Sequence, residues 1–186
     1  LNWIFSVSMQ PLVYFLSTAD TLLGKHDKNS LPQQSLMELV ISQLSDDNQR
    51  PFIDSQGIYT DIKEWPGISF IVEDNVHGIY WWDIFDDDTK PSDQGTILLR
   101  WIPDTVTIFE AYSRGFEGAI DCATLPRCLR VFDMSDNRLT GEIDFSVLPE
   151  NISVLQVASN FLTGGIDLTH FPKGIERINV RDNRLS

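Results

Sequence analysis

Cysteine occurs twice and histidine three times in this 186-residue chain, and its 14 basic residues are outnumbered by 27 acidic ones. Each shortage excludes something. Two cysteines close one internal disulfide at most, so the fold cannot rest on a disulfide framework. His26, His77 and His170 lie far apart and form no His-Glu-x-x-His pair. Neither a Gly-x-Ser-x-Gly elbow nor a Gly-x-x-x-x-Gly-Lys phosphate loop occurs. No catalytic residue, cofactor or metal site is therefore expected. The net charge of −13 argues against nucleic acid and against an anionic membrane surface as partners. Long apolar runs are missing too: Leu1 to Leu16 is interrupted by Asn2, Gln10 and Pro11 and is too short to span a bilayer, so no transmembrane segment is expected. The absence of an initiator Met points to a processed or truncated N-terminus, which leaves room for the remnant of a secretion signal.

What is present is globular: 42% hydrophobic and 11% aromatic. Residues 1–105 carry 6 basic and 16 acidic groups and residues 106–186 carry 8 and 11, so the acidity belongs mainly to the N-terminal part. A helix is predicted from Pro11, with Leu12, Phe15, Leu16, Ala19, Leu22 and Leu23 on one stripe and Gly24 at its end. A second is predicted after Ser30, which has capping-box spacing with Gln33; Met37, Val40, Ile41 and Leu44 share its face. Lys25 to Asn29 is the expected turn between them. Asp46 to Glu64 reads as polar and irregular.

From Val106 the chain repeats every 23 residues. Leu129-x-x-Phe132-x-Met134-x-x-Asn137-x-Leu139-x-Gly141-x-Ile143 is followed by Ile152-x-x-Leu155-x-Val157-x-x-Asn160-x-Leu162-x-Gly164-x-Ile166. A last copy runs Ile175-x-x-Ile178-x-Val180-x-x-Asn183-x-Leu185, and an earlier one, from Val106, has Arg114 in the Asn column. Ile102-Pro103, Leu125-Pro126, Leu148-Pro149 and Phe171-Pro172 share the same step. Apolar residues at the first, fourth and sixth positions fit a short strand with alternate side chains inward. The Asn amide suits a turn out of that strand, the Gly a tight return, and the Pro an extended residue before it. One unit cannot bury its apolar face alone, but stacked units can. Val76, Ile79, Trp81, Gly95 and Ile97 fit the same frame with seven extra residues, placed around Asp86 to Ser92.

This pattern resembles the leucine-rich repeat, and Leu139-Thr140-Gly141-Glu142-Ile143 resembles its plant-type subclass. The Gly-x-Ile-Asp run ending in Leu-Pro is similar to repeat proteins of unicellular eukaryotes. Trp65-Pro66-Gly67-Ile68 resembles the end of a plant-type N-terminal cap, with Phe70 where the family has Cys, which puts the cap disulfide in doubt. The resemblance implies an α/β fold: a leucine-rich-repeat solenoid with a short parallel sheet on its concave face and a helical N-terminal cap. Residues 1–75 are the expected cap and 76–186 the repeats, starting at 106, 129, 152 and 175 after one imperfect unit. Long helices have no room on the outer face of so short a unit. The chain stops one residue before the next expected Gly, which predicts an open C-terminal edge.

The functional candidates follow from that frame. Residues between the inward columns point away from the core and line the inner, concave face: Gly78, Ile108, Val131, Val154 and Arg177; then Tyr80, Glu110, Asp133, Gln156 and Asn179; then Trp82, Tyr112, Ser135, Ala158 and Arg181. Tyr80, Trp82, Ile108, Glu110, Tyr112, Asp133, Gln156, Arg177, Asn179 and Arg181 are the expected partner-binding residues, since Tyr, Trp and Arg dominate interface energetics. Asp83, Asp86, Asp87 and Asp88 have oxygen ligands for Ca²⁺ but lack a loop spacing for it, and read as a solvated acidic loop. Cys122 falls in a core column and Cys128 at an exposed strand entry, which favours two free thiols. Asn151-Ile152-Ser153 is an N-glycosylation sequon.

The resemblance implies a non-enzymatic module that binds a protein or peptide, itself included, on its concave face. The alternative is a structural subunit of a larger assembly or extracellular fibre, stacking through its uncapped C-terminal end. The sequon and repeat type suggest an extracellular or cell-surface protein; the missing cap cysteine suggests an intracellular one.

Overall fold

The computed structural model describes residues 28–71, 74–82, 84 and 93–186. The chain divides into two compact units, Leu1–Leu31 and Pro32–Ser186. Of the first, the described part is a 3-10 turn, Lys28–Ser30, closed by the Leu31 N–H on the Lys28 carbonyl at 3.2 Å. The helix predicted from Pro11, most of the turn after it and the acidic run Asp86–Asp88 lie outside the described residues.

In the second unit, α1 spans Gln33–Ile41 and buries Leu36, Met37, Leu39, Val40 and Ile41. Its start corrects the predicted capping box. Pro32, at φ −58° and ψ 148°, is the residue before the helix, and no side chain caps it. Ser30 is held in the preceding turn, and Gln33 faces elsewhere: its Oε1 accepts from the Val76 N–H at 2.7 Å and its Nε2 donates to Asn75 Oδ1 at 2.9 Å. The stretch expected to be irregular holds a short helix, α2 (Asp46–Gln49), capped by Ser45 Oγ, and 3-10 turns at Arg50–Phe52 and Ile62–Glu64.

The larger sheet has six strands in the order β10-β9-β7-β5-β3-β2. Its parallel members are β3 (Asn75–Tyr80), β5 (Ile108–Glu110), β7 (Val131–Asp133), β9 (Val154–Gln156) and β10 (Arg177–Asn179). Ile108 faces Val131, Val131 faces Val154 and Val154 faces Arg177, each 23 positions on, so the register is the sequence repeat itself. Gly78 faces Ile108, a step of 30, which carries the seven-residue insertion. β2 (Ile68–Ile71) adds antiparallel to β3, with a bulge between Ser69 and Phe70.

A smaller sheet has the order β1-β4-β6-β8, from β1 (Gln43–Leu44), β4 (Gly95–Thr96), β6 (Glu117–Ala119) and β8 (Arg138–Thr140). Only its edge strand β1 runs antiparallel. Gly95, at φ +86°, lies directly on the backbone of Gln43 and Leu44, where no Cβ fits.

Between the sheets the inward columns of the units starting at 106, 129 and 152 are buried, with Val106, Phe109, Ala111, Leu129, Phe132, Met134, Ile152 and Val157 all at 0% exposure, whereas in the last unit Ile175 and Val180 are half-buried and Ile178 is 37% exposed. An aromatic row continues this core, with centroid steps Trp65–Phe52 of 4.8 Å, Phe52–Trp81 of 5.3 Å, Trp81–Phe109 of 6.1 Å and Phe109–Phe132 of 5.8 Å. The Trp81 indole Nε1 is buried without a hydrogen-bond partner, a cost of about 1–3 kcal/mol against the burial of the ring.

The Asn column satisfies buried backbone, as its amide chemistry requires. Asn137 Nδ2 donates to the carbonyls of Ala111 (2.8 Å), Met134 (3.0 Å) and Ser135 (3.2 Å), and its Oδ1 accepts from the N–H of Arg114 (3.2 Å) and Phe116 (3.0 Å). Asn160 and Asn183 repeat these contacts one and two units on. The residue before each column position takes positive φ: Ser113, Asp136, Ser159 and Asp182, at 54–60°.

Opposite the strands, 3-10 turns at Leu99–Trp101, Cys122–Thr124, Phe145–Val147 and Leu168–His170 keep the step of 23, and none lengthens into an α-helix. Asp121, Asp144 and Asp167 cap the last three by accepting from the N–H two residues ahead. Each apolar residue before Pro is extended, with ψ of 125–149° at Ile102, Leu125, Leu148 and Phe171.

Candidate functional site

The predicted face residues sit on the strands of the larger sheet, except Trp82, Tyr112 and Arg181, which lie two residues past the ends of β3, β5 and β10. At its β3 end, the Trp82 and Tyr112 rings stack in parallel, 5.7 Å apart and 3° from coplanar, with Trp82 39% exposed. Tyr80 lies over Gly78: a Cβ there would meet the Tyr80 ring at 2.7 Å and its hydroxyl at 2.8 Å. Gly78 thus lets the phenol lie flat on the sheet. Ser69 of β2 faces Gly78 across the antiparallel pair and extends the same face by one strand. The sequence frame missed it, because β2 lies outside the repeat and no period marks it.

The middle column is acidic. Asp133 is 7% exposed, its Oδ2 accepting from Gln156 Nε2 at 2.6 Å and its Oδ1 from the Ser135 N–H at 2.9 Å. Both oxygens are therefore turned onto neighbours. Glu110, one strand earlier, is half-buried and accepts no hydrogen bond from any side chain or backbone N–H among the described residues. Burial, then the negative charge of Asp133, holds its carboxyl above the usual range. Ile108, Val131 and Val154 form a half-buried apolar column beside them.

Arg177 and Arg181 are exposed at β10 and beyond it; Arg181 Nε lies 3.5 Å from Asp182 Oδ2, and the Arg181 N–H donates to Asn179 Oδ1 at 3.4 Å. At about 4.8 Å per strand they stand roughly 19 Å from the aromatic end. The structure thus gathers Tyr80, Trp82, Ile108, Glu110, Tyr112 and Asp133 at one end and leaves the arginines at the other. Within the third column Trp82 and Arg181 are exposed, and Ala158 alone is buried, at 3% exposure. A side chain as short as a methyl cannot rise above its neighbours.

Neither Cys122 nor Cys128 is in a disulfide. Burial pushes the Cys122 thiol up to about 12, aided by the charges of Asp121 and Asp144, so it is protonated and inert at neutral pH. Cys128 is half-buried, its Sγ 2.7 Å from the Asp104 carbonyl oxygen. Asn151 is exposed in the turn before β9, its Nδ2 donating to the Arg127 carbonyl at 3.0 Å. Among the described residues no group of His, Cys, Asp and Glu could hold a metal ion, and no helix is long and apolar enough to cross a membrane.

No family model matches the sequence, and no curated protein matches it. Solved structures do. The BIR2 ectodomain of Arabidopsis thaliana superposes with a TM-score of 0.62 at 20% identity, over 83% of this chain and 82% of that one. The BIR3–SERK2 complex of the same plant gives 0.60 at 22% identity, over 81% of each chain. The leucine-rich-repeat ectodomain of the Arabidopsis receptor kinase GASSHO1/SCHENGEN3, solved with Casparian strip integrity factor 2, gives 0.62 at 20%, over 83% of this chain and 18% of that one. At these identities what is shared is the fold: α/β, with parallel-stranded sheets, as in plant leucine-rich-repeat ectodomains.

Proposed function

We propose that the chain is a non-enzymatic binding module that takes a protein or peptide partner on the exposed face of its larger sheet. In this reading the second unit is a leucine-rich-repeat solenoid, its repeats running from Val76 to Ser186, and residues up to 75 form a cap over their first open edge. The observation that carries it is the exposed Trp82 ring stacked on Tyr112 beside Tyr80. A stacked aromatic pair is rigid, large and amphipathic, which is what interface anchors require. Plant ectodomains with the same fold include one solved with the peptide hormone IDA and the co-receptor SERK1. That partner is theirs; the fold makes such a role available to this chain.

A displayed random-peptide library selected on the immobilised chain tests the reading. Tyr80→Ala, Trp82→Ala and Tyr112→Ala each reduce binding of the selected peptides by about thirtyfold or more, an anchor-sized effect, while the thermal unfolding profile is kept. Full binding by all three variants sinks the proposal.

An extracellular or cell-surface location, with a glycan on Asn151, belongs to the same reading. Its support is the exposed side chain in an exposed turn. Protein from its native source would lose mass on glycosidase treatment; an unchanged mass counts against both.

A further inference from the structure

We propose that the aromatic end of this face receives an arginine of the partner, its guanidinium laid against the Trp82–Tyr112 stack with its charge on Glu110. The inference rests on the binding reading above and names the chemistry of the partner: a peptide segment presenting a planar cation.

Three observations converge on it. Glu110 and Tyr112 are two apart on one chain, so their side chains leave the same side of the sheet, about 7 Å apart along it. The Glu110 carboxylate is half-buried and accepts no hydrogen bond among the described residues, so the fold leaves its lone pairs unused. Asp133 adds negative charge next door, yet its own oxygens are taken by Gln156 and Ser135, so it strengthens the field without competing for the ligand. Burial and that neighbouring charge make the ionised Glu110 costly, a cost that an arriving cation relieves.

The rings then choose among cations. Two parallel aromatic faces attract a cation through their quadrupoles, and a flat guanidinium matches them better than the point charge of an ammonium. The chain does not fill this place from its own basic residues in the face columns, since Arg177 and Arg181 stand three strands from Glu110 and Tyr112 and four from Trp82. Arg114, which follows β5, has its Nε on the Tyr112 carbonyl at 3.4 Å. The net charge of −13, weighted to the N-terminal part, complements a basic segment.

The test uses the full chain labelled with ¹⁵N and two probes, the peptide Ac-Ala-Ala-Arg-Ala-Ala-NH₂ and its citrulline counterpart, which keeps the shape and loses the charge. The arginine peptide is expected to shift the amides of Tyr80, Glu110 and Tyr112 and to bind about tenfold more tightly than the citrulline peptide. Glu110→Gln, which keeps the side-chain volume, abolishes that preference. Equal binding of both peptides overturns the inference, as do shifts confined to other surfaces. A preference that survives Glu110→Gln overturns it too, because the net charge alone then explains it. If it fails while library peptides still need Trp82 and Tyr112, the binding reading stands without the arginine; if those peptides ignore the aromatic pair, both fall.

Discussion

The repeats and the segment before them, residues 33–75, meet one demand in two ways. Buried backbone groups need partners, and both regions supply them from side-chain amides. In the repeats a single solution recurs: Asn137, Asn160 and Asn183 each bridge the turn leaving a strand to the turn of the unit before. In the earlier segment every amide has its own task. Gln34 accepts from the Ile62 N–H at 2.8 Å and donates to the Thr60 carbonyl at 2.9 Å. Asn48 donates to the Gln94 carbonyl at 2.9 Å, and Gln49 Nε2 to the Leu44 carbonyl at 2.7 Å. A repeated register lets one residue type solve a problem many times; a segment outside the repeat has one copy of each problem.

The contrast is broken most strongly by Asn137→Ala. It strands the groups now bonded to Asn137 inside a column where that residue is 6% exposed. Several unsatisfied buried groups, partly relaxed, predict a loss of about 4 kcal/mol in chemical denaturation. Asn137→Asp does no better, because a carboxylate cannot donate to the three carbonyls. Asn183→Ala, at a half-buried position, costs about 1–2 kcal/mol, since water replaces part of what is lost. Gln34→Ala, also half-buried, costs about 1–3 kcal/mol. Equal losses for Asn137→Ala and Gln34→Ala would mean that recurrence carries no extra stability.

The same contrast decides what could be read from the residues alone. A period of 23 gave the strands β5, β7, β9 and β10, their register and the buried columns, because each physical requirement is stated several times over. The gap between Val76 and Gly95 gave the insertion for the same reason. Ser30 misled, since a capping-box spacing is a local pattern and Pro32 overrode it. The amides of Gln33, Gln34 and Asn48 were illegible, because a single polar residue carries no sign of which distant backbone group it meets. The caps Asp121, Asp144 and Asp167 stand in one column, visible as a period though not as a task. On the face, the column positions of Tyr80, Trp82 and Tyr112 were legible. Their stacking, the burial of Ala158 and the pairing of Asp133 with Gln156 depend on side-chain lengths across neighbouring strands, which the period does not encode.

The smallest expected effect separates the two regions by pH. In the repeats, Thr169 Oγ1 donates to Asp167 at 2.6 Å and the Thr169 N–H at 2.9 Å, with His170 Nδ1 at 2.7 Å; together these hold the Asp167 carboxyl down at about 2. A depressed acid contributes stability that is present above its unfolded value and disappears as pH falls through its folded one. Asp167→Asn should therefore flatten the acid limb of a stability–pH curve between about pH 4 and pH 2. In the earlier segment, burial first and the charge of Glu38 second push the Tyr59 phenol up to about 12. A raised acid behaves in the opposite sense: its stability is complete below the unfolded value and goes as pH rises through the folded one. Tyr59→Phe also removes the hydroxyl donated to Gln49 Oε1 at 2.6 Å, so it costs about 1 kcal/mol at neutral pH. That deficit should shrink as pH climbs from about 10 to 12, where the wild-type phenol ionises and the phenylalanine does not. Denaturant titrations of the two variants across both limbs check the pair. A Tyr59→Phe deficit that stays constant to pH 12 would mean that the phenol ionises as readily folded as unfolded.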